Sequence, residues 1–355
     1  MAGLAKACSL LRTLLVLGAC QLLAAGRLRI ARKRLEPHEQ GAARSWQATK
    51  QCLLSLEGSP SVAAVEALRA PQLRQRAQRA AATGQGKLQM MLYHVRKAGG
   101  TSLRTVLVNS ASKRPGVSFR MLEGLSMDLS AFHHPSSVFI THLREPISRI
   151  ASSFRYDFLL SEYRPDASYL LQDPAANISS PSAWLAWMAR VQRRRGCGSF
   201  LWEEPSNYYV KAFSGWGRAP VMRRACAKVA HLPNVTTAHL EEAKVSLASF
   251  DAVLLAQWLT SPQLTMCVVQ TAAPWLASVK VDLPWTKKTV AKGSTEPCPM
   301  SRIPKPVLST LQEWNKLDIE FYEWAQRFAK CRLQHIAAAG QCMSTADQTG
   351  FDVCM

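Results

Sequence analysis

Hydrophobic positions along the chain change character at residue 88. LQMMLYHV (88–95) is a near-continuous apolar run, the pattern of a strand buried on both faces of a parallel sheet. A glycine turn follows, and TSLRTVLVNSA then spaces Leu103, Val106 and Leu107 along one helical face. The same grammar recurs. SSVFITHL (136–143) alternates as a strand does, Arg144-Glu145 make the turn, and Pro146 sits where a helix tolerates proline, in its first turn. Ile147, Ile150, Ala151, Phe154 and Phe158 then repeat as a single helical face. Two strand-to-helix units predict an α/β domain with a central parallel sheet flanked by helices. A further strand is expected at DAVLLAQ (251–257), and SAWLAWMARVQ and NYYVKAFSG have helical texture. Val307, Leu308, Leu311, Trp314, Phe321, Trp324 and Phe328 predict one long amphipathic helix over 304–330.

Outside this core the pattern is different. Residues 7–26 form an apolar stretch about long enough to span a bilayer, interrupted by Arg12, so 1–26 reads as a signal anchor, with a cleaved signal peptide as the alternative. Basic residues after it oppose a lumenal C-terminus, whereas the sequons at Asn177 and Asn234 matter only for a chain that enters the secretory pathway. Residues 27–86, rich in Ala, Gln and Arg, read as a stem, 87–335 as the main folded domain and 336–355 as a tail. Eight cysteines (Cys52, Cys197, Cys226, Cys267, Cys298, Cys331, Cys342 and Cys354) lie beyond the apolar segment. Their even number suits disulfides in an oxidising lumen, and their spacing assigns no pairs and no zinc site.

The 355 residues, 48% of them hydrophobic, suffice for a full core, and the formal charge of +20 calls for an acidic partner. Nucleic acid fits poorly, because the basic residues are dispersed and no recognition module is present. A phosphorylated ligand fits better. A Gly-Gly turn entering a helix offers unpaired backbone N–H groups and the positive end of the helix dipole, and Lys97-Ala98-Gly99-Gly100-Thr101-Ser102 is such a turn. Arg96 and Lys97 add charge and Thr101 and Ser102 add hydroxyls; the bland alternative is a helix capped by Thr101 or Ser102. The lysine precedes the glycines, so this is not a Walker A loop. At the second strand end stand Arg144 and, eight residues on, Ser152, with Ser148, Ser152 and Arg155 on the helix face opposite the apolar stripe. Adjacent parallel strands ending in two such groups describe a nucleoside with phosphates at both ends.

Taken together, LYHVRKAGGTSL and VFITHLREPISRIASSF resemble the 5′-phosphosulfate loop and the 3′-phosphate motif of the Golgi-type carbohydrate sulfotransferases. That family uses 3′-phosphoadenosine-5′-phosphosulfate and includes the heparan sulfate 2-O- and 6-O-sulfotransferases and the galactose 3-O-sulfotransferases. Weaker similarity continues in NYYVKAFSG, EEAKVSLASFDAVLLAQWL and EWNKLDIEFYEWAQRF, so the resemblance spans roughly 88–330. It implies a P-loop-like domain behind an anchor and stem in the Golgi lumen, a glycan or glycolipid acceptor, and no metal. By the same resemblance Arg96, Lys97, Gly99, Gly100, Thr101 and Ser102 hold the 5′-phosphosulfate, with Lys97 near the bridging oxygen. Arg144 and Ser152 hold the 3′-phosphate, and Lys292 belongs to a basic loop that closes over the donor.

One feature of the family is missing. Several members place a histidine base about twenty residues before the arginine, and no histidine stands there in this chain. Glu123 falls nearest and is the candidate base, with His133 or His134 as alternatives. His142 and His94 are expected to be structural. Two other functions remain open on sequence alone: a P-loop phosphotransferase using ATP, and a glycan- or nucleotide-binding protein that has the fold without catalysis.

Overall fold

A computed structural model describes residues 88–96, 98, 100–122, 137–161, 179–193, 206–214, 234–276 and 300–338. The expected anchor and stem and residues 339–355 lie outside this set. Four strands, β1 (Leu88–Tyr93), β2 (Val117–Leu122), β3 (Ser137–Leu143) and β4 (Ala252–Leu255), form one sheet in the order β2-β1-β3-β4. Every pairing is parallel. The expected α/β architecture with a central parallel sheet is therefore present.

Helix α1 (Gly100–Ser112) joins β1 to β2, and α2 (Pro146–Ser161) follows β3. The chain continues through α3 (Pro181–Arg193), α4 (Tyr208–Phe213) and α5 (Thr237–Ala248) to β4, then α6 (Pro262–Ala272), α7 (Lys305–Trp314) and α8 (Lys316–Ala338). β3 is buried along its whole length, and so is β4, as expected for strands covered on both faces. β2 had no sequence prediction. Its residues are alternately half-buried and exposed over most of its length, the texture of a sheet margin, where few apolar side chains mark the strand.

Two apolar clusters organise the helices. The larger joins the sheet to α1, α4, α5, α6 and α8 through residues such as Met90, Leu92, Ile140, Tyr209, Phe213 and Phe321. The smaller seats α2 on α3 and α7. Phe154 stacks on Trp184 with ring centroids 4.1 Å apart and meets Trp187 edge-on, while Ile147, Ile150 and Leu311 fill the remainder. Ile147, Ile150, Ala151 and Phe154 thus face the core as their spacing predicts, and the side chain of Phe158, the last of the predicted stripe, lies outside the described residues.

The predicted single C-terminal helix is two. Asn315 breaks it, and the reason is hydrogen bonding: its Nδ2 donates to the Leu311 carbonyl, while its Oδ1 accepts the backbone N–H of Asn207, 108 residues away. A side chain that bonds backbone groups competes with helical continuation. α8 runs on to Ala338, beyond residue 335. Cys267 on α6 and Cys331 on α8 are both disulfide-bonded, and the two helices touch.

Candidate functional site

Sheet order locates the site. β1 leads outward to β2 on one side, while β3 and β4 lie on the other, so the connections diverge at the carboxyl ends of β1 and β3. Such a switch point opens a crevice in which α/β proteins bind ligands. Both candidate phosphate motifs begin there. β1 delivers Arg96 and the turn into α1, whose first helical residue is Gly100, and β3 delivers Arg144 and α2. The first N–H groups of α1, from Gly100, Thr101 and Ser102 onward, have no partner within the helix, and the dipole places partial positive charge at that end.

The base of the first loop is firmly held. The Thr141 hydroxyl donates to the Tyr93 carbonyl, the His94 N–H to the Leu122 carbonyl, and the Ala98 N–H to the Val95 carbonyl. His142 adds a fourth contact, with Nε2 at 3.1 Å from the Val95 oxygen. A carbonyl only accepts, so Nε2 carries the proton and Nδ1 is the acceptor nitrogen. Burial, helped by the stacked ring of His94 at 5.5 Å, pushes His142 down to about 3, so it stays neutral. Its expected structural role has this specific content: it supports the loop rather than exchanging protons.

At the second strand end the neighbouring side chains differ in their contacts. Glu145 caps α2, its carboxylate accepting from the N–H groups of Ile147 and Ser148, with Pro146 at the position whose missing N–H costs nothing. Burial raises its pKa, and these two bonds, then Arg144 and Arg149, pull the other way. Arg144 is half-buried, and its Nε donates to the Ser148 hydroxyl at 2.9 Å. Ser152 is half-buried one turn farther along α2. Arg149 points inward instead, with its guanidinium 4.2 Å from the centroid of the Tyr208 ring.

Sequence reasoning missed Tyr209. Its hydroxyl accepts the Arg144 N–H at 3.0 Å and donates to the Arg144 carbonyl at 2.6 Å, so both backbone groups of one residue are bound by one side chain. Burial raises the phenol well above its usual pKa and keeps the proton that the second bond needs. Tyr209 is in turn held by α8. Asp318 accepts from the N–H groups of Tyr209 and Val210, each at 2.9 Å, and the Asp318 N–H donates to Asn207 Oδ1. Asn207 has φ 47° and ψ 45°, a left-handed conformation that costs about 1–3 kcal/mol and that asparagine tolerates better than most residues. Three stretches remote in sequence, REP, NYYV and NKLD, therefore meet at the end of β3. Helical texture in NYYVKAFSG was the signal available in the sequence; the contact of its tyrosine with Arg144 was not.

Lys97, Gly99, Glu123, His133, His134 and Lys292 lie outside the described residues, as do the side chains of Thr101, Ser102 and Arg155. Among the described residues no group of three or more His, Cys, Asp or Glu side chains could hold a metal ion, and no helix is long and apolar enough to cross a membrane. No protein-family model, no curated protein and no solved structure matches the chain.

Proposed function

We propose that this chain is a sulfotransferase on a P-loop-like fold, anchored in the Golgi membrane with its catalytic domain in the lumen. It moves a sulfuryl group from 3′-phosphoadenosine-5′-phosphosulfate to a hydroxyl of a glycan or glycolipid. One observation carries the reading: the two motifs that resemble the family's phosphate loops flank the β1/β3 switch point, at adjacent parallel strand ends. The disulfide-bonded Cys267 and Cys331 support an oxidising compartment, and the charge of +20 suits anionic ligands.

In this reading Arg96, Lys97, the Gly99-Gly100 turn, Thr101 and Ser102 bind the 5′-phosphosulfate, with the N-terminus of α1 offsetting charge on the leaving phosphate. Arg144 and Ser152 bind the 3′-phosphate, and Lys292 belongs to a loop that closes over the donor. The donor supplies the activated sulfuryl group. The acceptor oxygen bonds to sulfur as the bond from sulfur to the 5′-phosphate oxygen breaks, and the hydroxyl proton passes to a base. Glu123 is the candidate for that base, with His133 or His134 as alternatives. His142 is unsuited to the task, because a nitrogen held near pKa 3 takes up little proton at neutral pH.

Incubating the full-length chain with radiolabelled donor and a panel of glycans tests the proposal. Transfer is expected, reduced more than about tenfold by Lys97→Ala and by Arg144→Ala. Transfer indifferent to both substitutions overturns the site. Phosphoryl transfer from ATP would assign a kinase instead, and donor binding without turnover on any acceptor would assign a non-catalytic binding protein.

A further inference from the structure

We infer that Tyr209 is a positioning residue for the 3′-phosphate half of the site, held in place by Asp318 of the C-terminal helix and by its own neighbour Asn207. The inference rests on the reading of Arg144 as the 3′-phosphate ligand.

Arg144 follows the last residue of β3, where the ladder has ended: the final β3–β4 partners are Leu143 and Leu255. Its backbone N–H and carbonyl have passed beyond the sheet, and such groups need partners when enclosed. The Glu145 carboxylate, which accepts at the cap of α2, has no proton to give the carbonyl. Tyr209 does. A phenol buried only for packing needs one hydrogen-bond partner, whereas this one spends a donor and an acceptor on the two sides of a single residue. The peptide planes flanking Arg144 are thereby fixed, and with them the direction in which its Cα–Cβ bond leaves the chain. Ser148 then fixes the guanidinium end at Nε. Arg144 is thus held at its root and at its tip.

The support behind Tyr209 is built to the same end. Both carboxylate oxygens of Asp318 hold consecutive N–H groups at the start of α4, while the Asn207 N–H donates to Asn315 at the break before α8 and its Oδ1 accepts the Asp318 N–H of α8. Asn207 keeps its left-handed conformation under these constraints, and strain of this kind persists where the surroundings over-determine a residue. The Tyr209 ring, fully buried, leans on Phe321 of α8 at a centroid distance of 6.1 Å. A residue 65 positions from Arg144 in sequence therefore ties it to a helix still farther along the chain.

The test compares adenosine 3′,5′-bisphosphate with adenosine 5′-phosphate in calorimetric titrations of the full-length chain. The ratio of the two affinities isolates the 3′-phosphate. Tyr209→Phe keeps the ring and removes both hydroxyl bonds, and it should lower the ratio by about tenfold while leaving adenosine 5′-phosphate binding unchanged. Arg144→Ala should abolish the ratio, and adding Tyr209→Phe to it should change nothing further. If Tyr209→Phe fails to fold, Asp318→Asn, which touches Tyr209 only through the backbone, should lower the ratio to a smaller extent. An unchanged ratio, or an equal loss for both nucleotides, would make Tyr209 a core tyrosine and overturn the inference. A wild-type ratio near one, or one insensitive to Arg144→Ala, would refute the reading of Arg144 itself, an outcome distinct from the failure of Tyr209 alone.

Discussion

Asp318→Asn is the perturbation for which the structure gives both a size and a sign. The carboxylate is fully buried beneath the start of α4 and holds the N–H groups of Tyr209 and Val210. Burial pushes its pKa up to about 6, and the two amide bonds, Arg149 and Lys211 only partly offset that. An unfolded aspartate titrates near 3.9. Between these values the folded chain binds a proton that the unfolded chain does not, so this group's contribution to stability rises as pH falls from above 6 to below 4. The gap corresponds to roughly 3 kcal/mol. Asparagine does not titrate. Like the protonated acid, it keeps one good acceptor oxygen and carries no charge to desolvate. The stability of the wild type relative to the variant should then rise by roughly 3 kcal/mol on going from pH 7 to pH 4. Urea unfolding of both proteins across this range measures it, and the subtraction cancels the other carboxylates. A wild type that loses stability relative to the variant as pH falls would mean that hydrogen bonds and cations dominate burial, and the account of Asp318 would be wrong.

Other outcomes follow from the same structure. Arg332 donates to the carbonyls of Ala248 and Phe250 at 2.7 and 2.8 Å, closing the end of α5, and lies over Phe328. Arg332→Ala should cost about 2–3 kcal/mol in urea unfolding, with Arg332→Lys recovering under half because an ammonium lacks the fork. Phe154→Ala, which empties the space against Trp184 and Trp187, should cost about 3–5 kcal/mol and lower the melting temperature. Glu145→Ala should cost about 1 kcal/mol through the lost cap of α2, and it should weaken donor binding because Ser148 and Ser152 ride on that helix. Calorimetry of unfolding and of donor titration would read the two effects separately.

The two strand-to-helix units were legible because local periodicity specifies them: a continuous apolar run ending in Gly-Gly, and an alternating run ending before proline. Their adjacency was expected, and it holds. The sheet order that turns adjacency into a crevice was not legible, because strand order depends on contacts remote in sequence. β2 escaped notice for a local reason, since VSFRML has little contiguous apolar character at the margin of the sheet. Asn315 carried a weak warning, as asparagine is a poor residue inside a helix, but its partner Asn207 is known only from the fold. Tyr209 is the plainest case. The sequence shows a tyrosine in a helical segment, and only the folded chain brings its hydroxyl to Arg144.

The central claim is that the β1/β3 switch point binds a nucleotide phosphorylated at both ends. Competition calorimetry on the full-length chain tests it most directly, with adenosine 3′,5′-bisphosphate, adenosine 5′-phosphate and ATP as ligands. The account predicts that the bisphosphate binds tightest and that Arg144→Ala reduces it to the level of the 5′-phosphate. Preference for ATP, or bisphosphate binding unaltered by Arg144→Ala, would contradict it.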